Sequence, residues 1–177
     1  NPVCSVADDS FYEKAIAFAK KYNVILLHDN AYSDIIFGGK EGKSFLSYPG
    51  AMEVGIEFYS LSKSYDMTGM RISFALGNKD VIQMFRKVRS QIDYGIFLPI
   101  QKAAVAALTG PQDNVKEQCR IYEERNYALC RGMSSIGWKI PDGQGTMFVW
   151  APIPENYISS ERFTLRDIRT AWPLPWS

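Results

Sequence analysis

Apolar and polar positions follow two rhythms along this chain, one with the spacing of a helix and one with that of a buried strand. Phe11, Ile16, Phe18 and Ala19 include apolar residues at helical spacing, and Glu13, Lys14, Lys20 and Lys21 are interspersed among them. With Asp8 or Asp9 as the cap, this pattern predicts a helix to about Tyr22, ended by Asn23. Val24, Ile25, Leu26 and Leu27 then form an apolar run without alternation, which is what a strand covered on both faces needs. His28, Asp29 and Asn30 close it with polar groups. Residues 38–50 are polar and rich in glycine and read as a loop. Residues 56–60 and 72–76 read as second and third strands.

Asn78 or Asp80 opens another helix, with Val81, Ile82, Phe85 and Val88 on it. Pro99 starts one through Leu108, and Gly110-Pro111 breaks it. Residues 112–134 predict a long, charged amphipathic helix. Residues 137–140 and 146–151 read as two strands joined by the turn Pro141-Asp142-Gly143. Strands alternating with helices imply an α/β architecture. Residues 161–177 stand apart: Trp172-Pro173-Leu174-Pro175-Trp176 continues no helix and suits no central strand.

Composition narrows the classes. The chain has 177 residues, is 46% hydrophobic and carries a net charge of +1. That fits a globular protein and gives no sign of a nucleic-acid or membrane partner. The longest apolar stretch, residues 94–108, is broken by Gln101 and Lys102 and is too short to span a bilayer. Cys4, Cys119 and Cys130 are few and far apart, and His28 is the single histidine. Neither a zinc site nor a disulfide scaffold is expected, and a cytoplasmic setting is the simplest reading. The chain opens with Asn1-Pro2 and no Met, so we expect the natural N-terminus to lie upstream.

Ligands of open α/β sheets bind beyond the carboxyl ends of the strands. Two of the predicted strand ends carry reactive groups. Asp29-Asn30-Ala31-Tyr32 follows the first, and Ser60-Leu61-Ser62-Lys63 follows the second, with Thr68-Gly69-Met70-Arg71 beyond it. Taken singly, a loop lysine is usually a solvated cation and an aspartate at a strand end is usually a turn residue. His28 precedes Asp29, but strand alternation turns it the other way, so a packed histidine is expected there.

The order and spacing are more specific than the parts. Asn-Pro, a helix, a strand ending Asp-x-x-Tyr, then Ser-x-Ser-Lys, then Arg eight residues on resembles the class I/II aminotransferase signature. The stretches Tyr59 to Ile72, Gly110 to Asp113 and Gly145 to Pro152 are most similar to the LL-diaminopimelate aminotransferase branch. The resemblance implies a three-layer α/β/α large domain of fold type I with a mostly parallel sheet, present in part, and the start of a small α+β domain. Residues 1–115 would belong to the first and 116–177 to the second.

It also implies pyridoxal 5'-phosphate as cofactor, with Lys63 as the Schiff-base lysine and proton carrier. Asp29 matches the partner of the pyridine nitrogen, and Tyr32 and Asn1 match the groups around the cofactor's phenolate oxygen. Ser60 and Arg71, with Ser62 in support, match the phosphate ligands. The partners implied are an amino acid and a 2-oxo acid, among them diaminopimelate and 2-oxoglutarate, within a homodimer. The alternatives are an inactive fragment or pseudoenzyme that keeps the fold, and another fold-type-I enzyme such as a carbon–sulfur lyase.

Three expected parts have no match. A phosphate loop and a ring-stacking aromatic belong upstream of Asn1, and a substrate-carboxylate arginine belongs downstream. Arg162, Arg166 and Arg169 stand in an unrelated context and take no role by resemblance.

Overall fold

The computed structural model describes residues 2–154, so Asn1 and the tail at 161–177 lie outside the described residues. Helix α1 (Asp9–Tyr22) begins where the pattern placed it: the Asp8 carboxylate accepts from the Phe11 N–H at 2.8 Å, and Asn23 closes the helix in the left-handed region. Strand β1 (Leu26–Asp29) follows. A 3₁₀ turn (Phe45–Ser47) and helix α2 (Ala51–Val54) then lead into β2 (Gly55–Ser60). One-turn helix α3 (Leu61–Ser64) and a 3₁₀ turn (Thr68–Met70) connect to β3 (Ser73–Gly77). Helices α4 (Lys79–Arg89), α5 (Leu98–Thr109) and α6 (Asp113–Ser135) complete the order. The expected boundary at 115/116 falls in the first turn of α6.

The sheet is mixed rather than mostly parallel. β1 pairs parallel with β2, and β2 pairs antiparallel with β3. A parallel return needs a crossover, usually a full helix packed on the sheet. Residues 61–72 hold only the one-turn α3 and a 3₁₀ turn, and the chain doubles back beside β2, so Ser60 stands opposite Ser73.

Alternation assigns the faces. Leu26, His28, Glu57, Tyr59 and Phe74 share one face, and Leu27, Asp29, Ile56, Phe58 and Ser60 share the other. On the first face, Leu26 packs with Ile16 and Ala19 of α1 and with Phe45, Ala51 and Val54. Tyr59 and Phe74 pack there with Leu61, Ile72 and Ala104 of α5. On the second face, Phe85 of α4 meets Phe58 edge-on, with ring centres 6.1 Å apart. Helices therefore cover both faces of the sheet.

Two expectations fail. Residues 24–27 are not covered on both sides: Val24, Ile25 and Leu27 are exposed, Leu27 at 67%, because α4 reaches β2 and β3 and leaves the second face of β1 bare. Residues 137–140 and 146–151 form no strands. Gly137 and Thr146 take positive φ, and the backbone here pairs with other segments. Gln144 N–H donates to Cys4 O, Phe37 N–H to Gln144 O and Thr146 N–H to Ile35 O, leaving one isolated bridge between Ile36 and Gly145. The loop at 38–50 is more than solvated chain, since Phe45 within it is almost fully buried in the core.

Candidate active site

The parallel pairing of β1 and β2 brings their carboxyl ends to one edge, and the antiparallel return brings the start of β3 to the same edge. Asp29, Ser60 to Lys63 and Arg71 therefore gather there from three separate segments. The edge is held by the Asn30 N–H, which donates to Phe58 O at 2.8 Å.

Tyr32 is the meeting point. It sits in the turn after β1, closed by the Ile35 N–H bond to Tyr32 O at 3.0 Å. Lys63 Nζ lies 6.0 Å from the centre of the Tyr32 ring. Phe148 meets the same ring edge-on, with centres 5.8 Å apart. Burial pushes the Tyr32 phenol above its ordinary pKa, and the negative charge of Asp29 pushes in the same direction. Asp29 itself is exposed, and its Oδ1 accepts from the Ala31 N–H. Asp29 and Tyr32 both line a cleft of about 450 Å³ that also touches Ser33, Gly145 and Thr146.

Lys63 is half-buried on α3. The Ser60 side chain caps that turn, with its Oγ accepting from the Ser62 N–H at 3.2 Å. Thr68 Oγ1 donates to Ser62 O, and Arg71 Nη1 donates to Thr68 O, each at 2.8 Å. Arg71 takes a left-handed backbone, φ 54°, and its side chain is exposed. Ser60, Ser62 and Arg71 thus form one hydrogen-bonded group beside Lys63, while Asp29 and Tyr32 form another at the end of β1. The four groups Asp29, Tyr32, Lys63 and Arg71 share the sheet edge. Asn1 lies outside the described residues.

The chemistry of this donor set fits pyridoxal phosphate. An amine stands beside a phenol, a carboxylate charge acts on that phenol, and two hydroxyls and a guanidinium sit next to the amine. A guanidinium and hydroxyls are donors suited to a phosphate, and a fixed carboxylate suits a protonated ring nitrogen.

His28 lies on the opposite strand face from Asp29 but lines the same cleft. Its Nδ1 lies 2.8 Å from Glu57 Oε2, and its ring packs edge-on against Tyr12 and Phe45. Glu57 is buried. Burial alone would raise its pKa, yet hydrogen bonds from His28, the Phe45 N–H and Ser44 hold the carboxyl below the ordinary glutamate range. Reading the sequence missed Glu57, Asp34 and Phe148. Glu57 carries a signal, a charged residue inside a strand that is otherwise apolar. Asp34 and Phe148 come to the site through turns that no periodicity marks. The described residues include no cluster of His, Cys, Asp and Glu able to hold a metal, and no helix among them is long and apolar enough to cross a membrane.

Comparison with known proteins bears on the family and the fold. The chain is 46% identical over 160 residues to the LL-diaminopimelate aminotransferase of Moorella thermoacetica, covering 90% of this chain and 41% of that protein. It is 42% identical over 157 residues to the glutamate-pyruvate aminotransferase AlaC of Escherichia coli, covering 89% of this chain and 38% of that one. Among solved structures, apo-BacF from Bacillus subtilis superposes with a TM-score of 0.90 at 40% identity, over 97% of this chain and 46% of that chain. A probable N-succinyldiaminopimelate aminotransferase from Thermus thermophilus gives 0.89 at 33% identity, over 96% and 45% of the two chains. These neighbours share the fold-type-I α/β architecture, and the chain covers part of its large domain. It spans about two-fifths of the length of the curated relatives it matches. The family model for aminotransferase class I and II matches residues 1–169, into the stretch that begins at 161, and the chain belongs to that family.

Proposed function

We propose that this chain supplies the cofactor-binding part of a pyridoxal-phosphate-dependent aminotransferase, which moves an amino group between an amino acid and a 2-oxo acid. Diaminopimelate with 2-oxoglutarate is the substrate pair we favour, since several relatives carry the LL-diaminopimelate name at 41–47% identity. The carrying observation is Lys63 Nζ beside the Tyr32 ring, under the influence of the Asp29 charge.

Pyridoxal phosphate, when bound, supplies an electron-withdrawing ring that stabilises negative charge on the substrate α-carbon. Lys63 has a nucleophilic amine for covalent attachment and, once released, takes a proton from one carbon and returns it to another. Asp29 keeps a proton on the ring nitrogen by presenting a fixed negative charge. Tyr32 donates from its hydroxyl, and its raised pKa keeps that proton in place at neutral pH. Ser60, Ser62 and Arg71 would bind the phosphate, and Asn1, which lies outside the described residues, would by resemblance serve the phenolate oxygen. The same reading includes a homodimer and a cytoplasmic setting, in keeping with three free thiols.

The test is attachment. The 177-residue chain is incubated with pyridoxal phosphate, reduced with borohydride and digested, and the modified lysine is read by mass spectrometry. Pyridoxyl label on Lys63, lost in Lys63→Ala, is expected. Label spread evenly over exposed lysines overturns the assignment. Because the chain spans part of an aminotransferase, its own turnover is expected to be weak.

A further inference from the structure

Tyr32 and Lys63 reach the site on different segments, so something must fix one against the other. The residue that does so lies two positions past Tyr32. Asp34 Oδ2 accepts from the Tyr59 hydroxyl and from the Ser64 hydroxyl, each at 2.6 Å. Tyr59 is on β2, and Ser64 is the residue after Lys63 on α3, almost fully buried. Its neighbour Ile35 is buried, closes the Tyr32 turn by its N–H and accepts from Thr146 N–H at 2.8 Å. One carboxylate oxygen thus ties the loop of Tyr32 to the turn of Lys63 and to the strand that feeds it.

We infer that Asp34 is a positioning residue for Lys63: a buried-side brace that sets the lysine amine against the Tyr32 ring. The inference rests on the site reading above for its purpose, although the geometry stands without it. Hydrogen bonds to a charged acceptor are among the stronger ones, and both donors here are short side chains with little freedom. Burial and then the same bond to Asp34 push the Tyr59 phenol far above its ordinary value. α3 is a single turn: buried Leu61 anchors its start, the Ser60 hydroxyl caps it and Thr68 Oγ1 donates to Ser62 O, while Ser64 ties its far end to Asp34. Without the carboxylate, Ser64 loses its partner, and the end of the turn next to Lys63 loses that side-chain tie.

The test needs no cofactor, so its failure and that of the proposed function can be told apart. Lysine trinitrophenylation rates are measured residue by residue with trinitrobenzenesulfonate and peptide mass spectrometry, in the full 177-residue chain. In Asp34→Ala the rate at half-buried Lys63 is expected to rise at least about fivefold, the scale of losing one charge-assisted bond. Exposed Lys87 on α4 and Lys102 on α5 serve as internal standards and are expected to stay unchanged. Ser64→Ala gives a smaller rise in the same direction and adds nothing in the Asp34→Ala background. Asp34→Asn, whose amide oxygen still accepts both bonds, returns Lys63 to within about twofold of the parent. A rate at Lys63 unchanged in Asp34→Ala, or a rise shared equally by all three lysines, overturns the inference. If the parent chain takes no pyridoxyl label while Asp34→Ala still singles out Lys63, the brace stands and the function reading fails.

Discussion

Lys63 Nζ faces the ring of Tyr32 at 6.0 Å, and Phe148 packs against the edge of that same ring, so one aromatic serves both as a wall for the amine and as a contact to the 136–154 segment. Its hydroxyl and its ring can be separated by experiment. In Tyr32→Phe the ring remains for Lys63 and Phe148, so stability is expected to change by no more than about 0.5 kcal/mol. The hydroxyl is gone, and pyridoxyl labelling of Lys63 is expected to fall about fivefold to tenfold, the effect of one hydrogen bond. Labelling at parental level in a folded Tyr32→Phe chain removes the phenol from the cofactor site.

Asp29 makes a claim on Tyr32 that titration can read. Burial is the larger cause of the raised phenol pKa, and the Asp29 charge is the next. Asp29→Asn removes the charge and leaves the burial, so the Tyr32 pKa is expected to fall toward 10 without reaching it. Carbon-labelled tyrosine followed by NMR through alkaline pH measures this, with Tyr32→Phe identifying the signal. An unmoved resonance would show that the two groups do not face one another.

Glu57 predicts acid behaviour. Its folded pKa is depressed despite burial, because His28, the Phe45 N–H and Ser44 all bond to the carboxylate. A group with a depressed folded pKa contributes stability above its ordinary value, near 4.5, and loses it as pH falls from there through the folded value. The parent chain is therefore expected to lose urea resistance through that window, and Glu57→Gln to lose less over the same range. At neutral pH Glu57→Gln is expected to cost about 1–3 kcal/mol, because it weakens the bonds that His28, the Phe45 N–H and Ser44 make to a buried carboxylate. Equal slopes for the two chains below pH 4.5 would exclude Glu57 as the source.

Much of the fold was legible because local rules and tertiary contacts agreed. Asp8 caps α1, Asn23 ends it and Asn78 caps α4 where the polar residues before each apolar pattern placed them. The site edge was legible for a related reason: strand ends are marked by the switch from apolar to polar residues at His28-Asp29 and at Ser60. What failed depended on partners far along the chain. Residues 146–151 look like a strand by composition, yet Thr146 N–H bonds to Ile35 O, and Gln144 just before them bonds to Cys4 and Phe37, which no local pattern reveals. The antiparallel direction of β3 goes with a connection that holds no full crossover helix, a feature of chain geometry rather than of residue type in the strand itself. Asp34 escaped notice because its two donors lie 25 and 30 residues away.

The run at 24–27 makes a prediction through its bare face. Val24, Ile25 and Leu27 are exposed on or beside β1, and Met84, Val88 and Ile92 are exposed at i, i+4 and i+8 on and just past α4. Apolar patches of this kind drive association. The isolated chain is expected to self-associate with rising concentration, and the pair Leu27→Gln with Val88→Gln to reduce this with little loss of thermal stability, since neither side chain is buried. Sedimentation at several concentrations decides it. Unchanged association in the double variant would place the contact elsewhere.

Asn126 tests how firmly the 136–154 segment is held against the site. It is buried on α6, its Oδ1 accepts from the Gly143 N–H at 3.1 Å, and its Nδ2 approaches Phe148 O at 3.5 Å. Asn126→Ala leaves the Gly143 donor unpaired and is expected to cost about 1–3 kcal/mol. Gly143 in turn has no room for a side chain: a Cβ there would lie 2.9 Å from Asn126 Nδ2 and 3.3 Å from Cys4 Cβ. Gly143→Ala is therefore destabilising in the parent, through a clash with the same amide that the first substitution removes. Combining the two should cost less than their sum, because removing the amide opens space for the new methyl. Since Phe148 rests on Tyr32, each single variant should also weaken pyridoxyl labelling at Lys63. Strictly additive unfolding energies would mean that Asn126 and Gly143 act separately, and undiminished labelling would mean that Phe148 has no hold on the site.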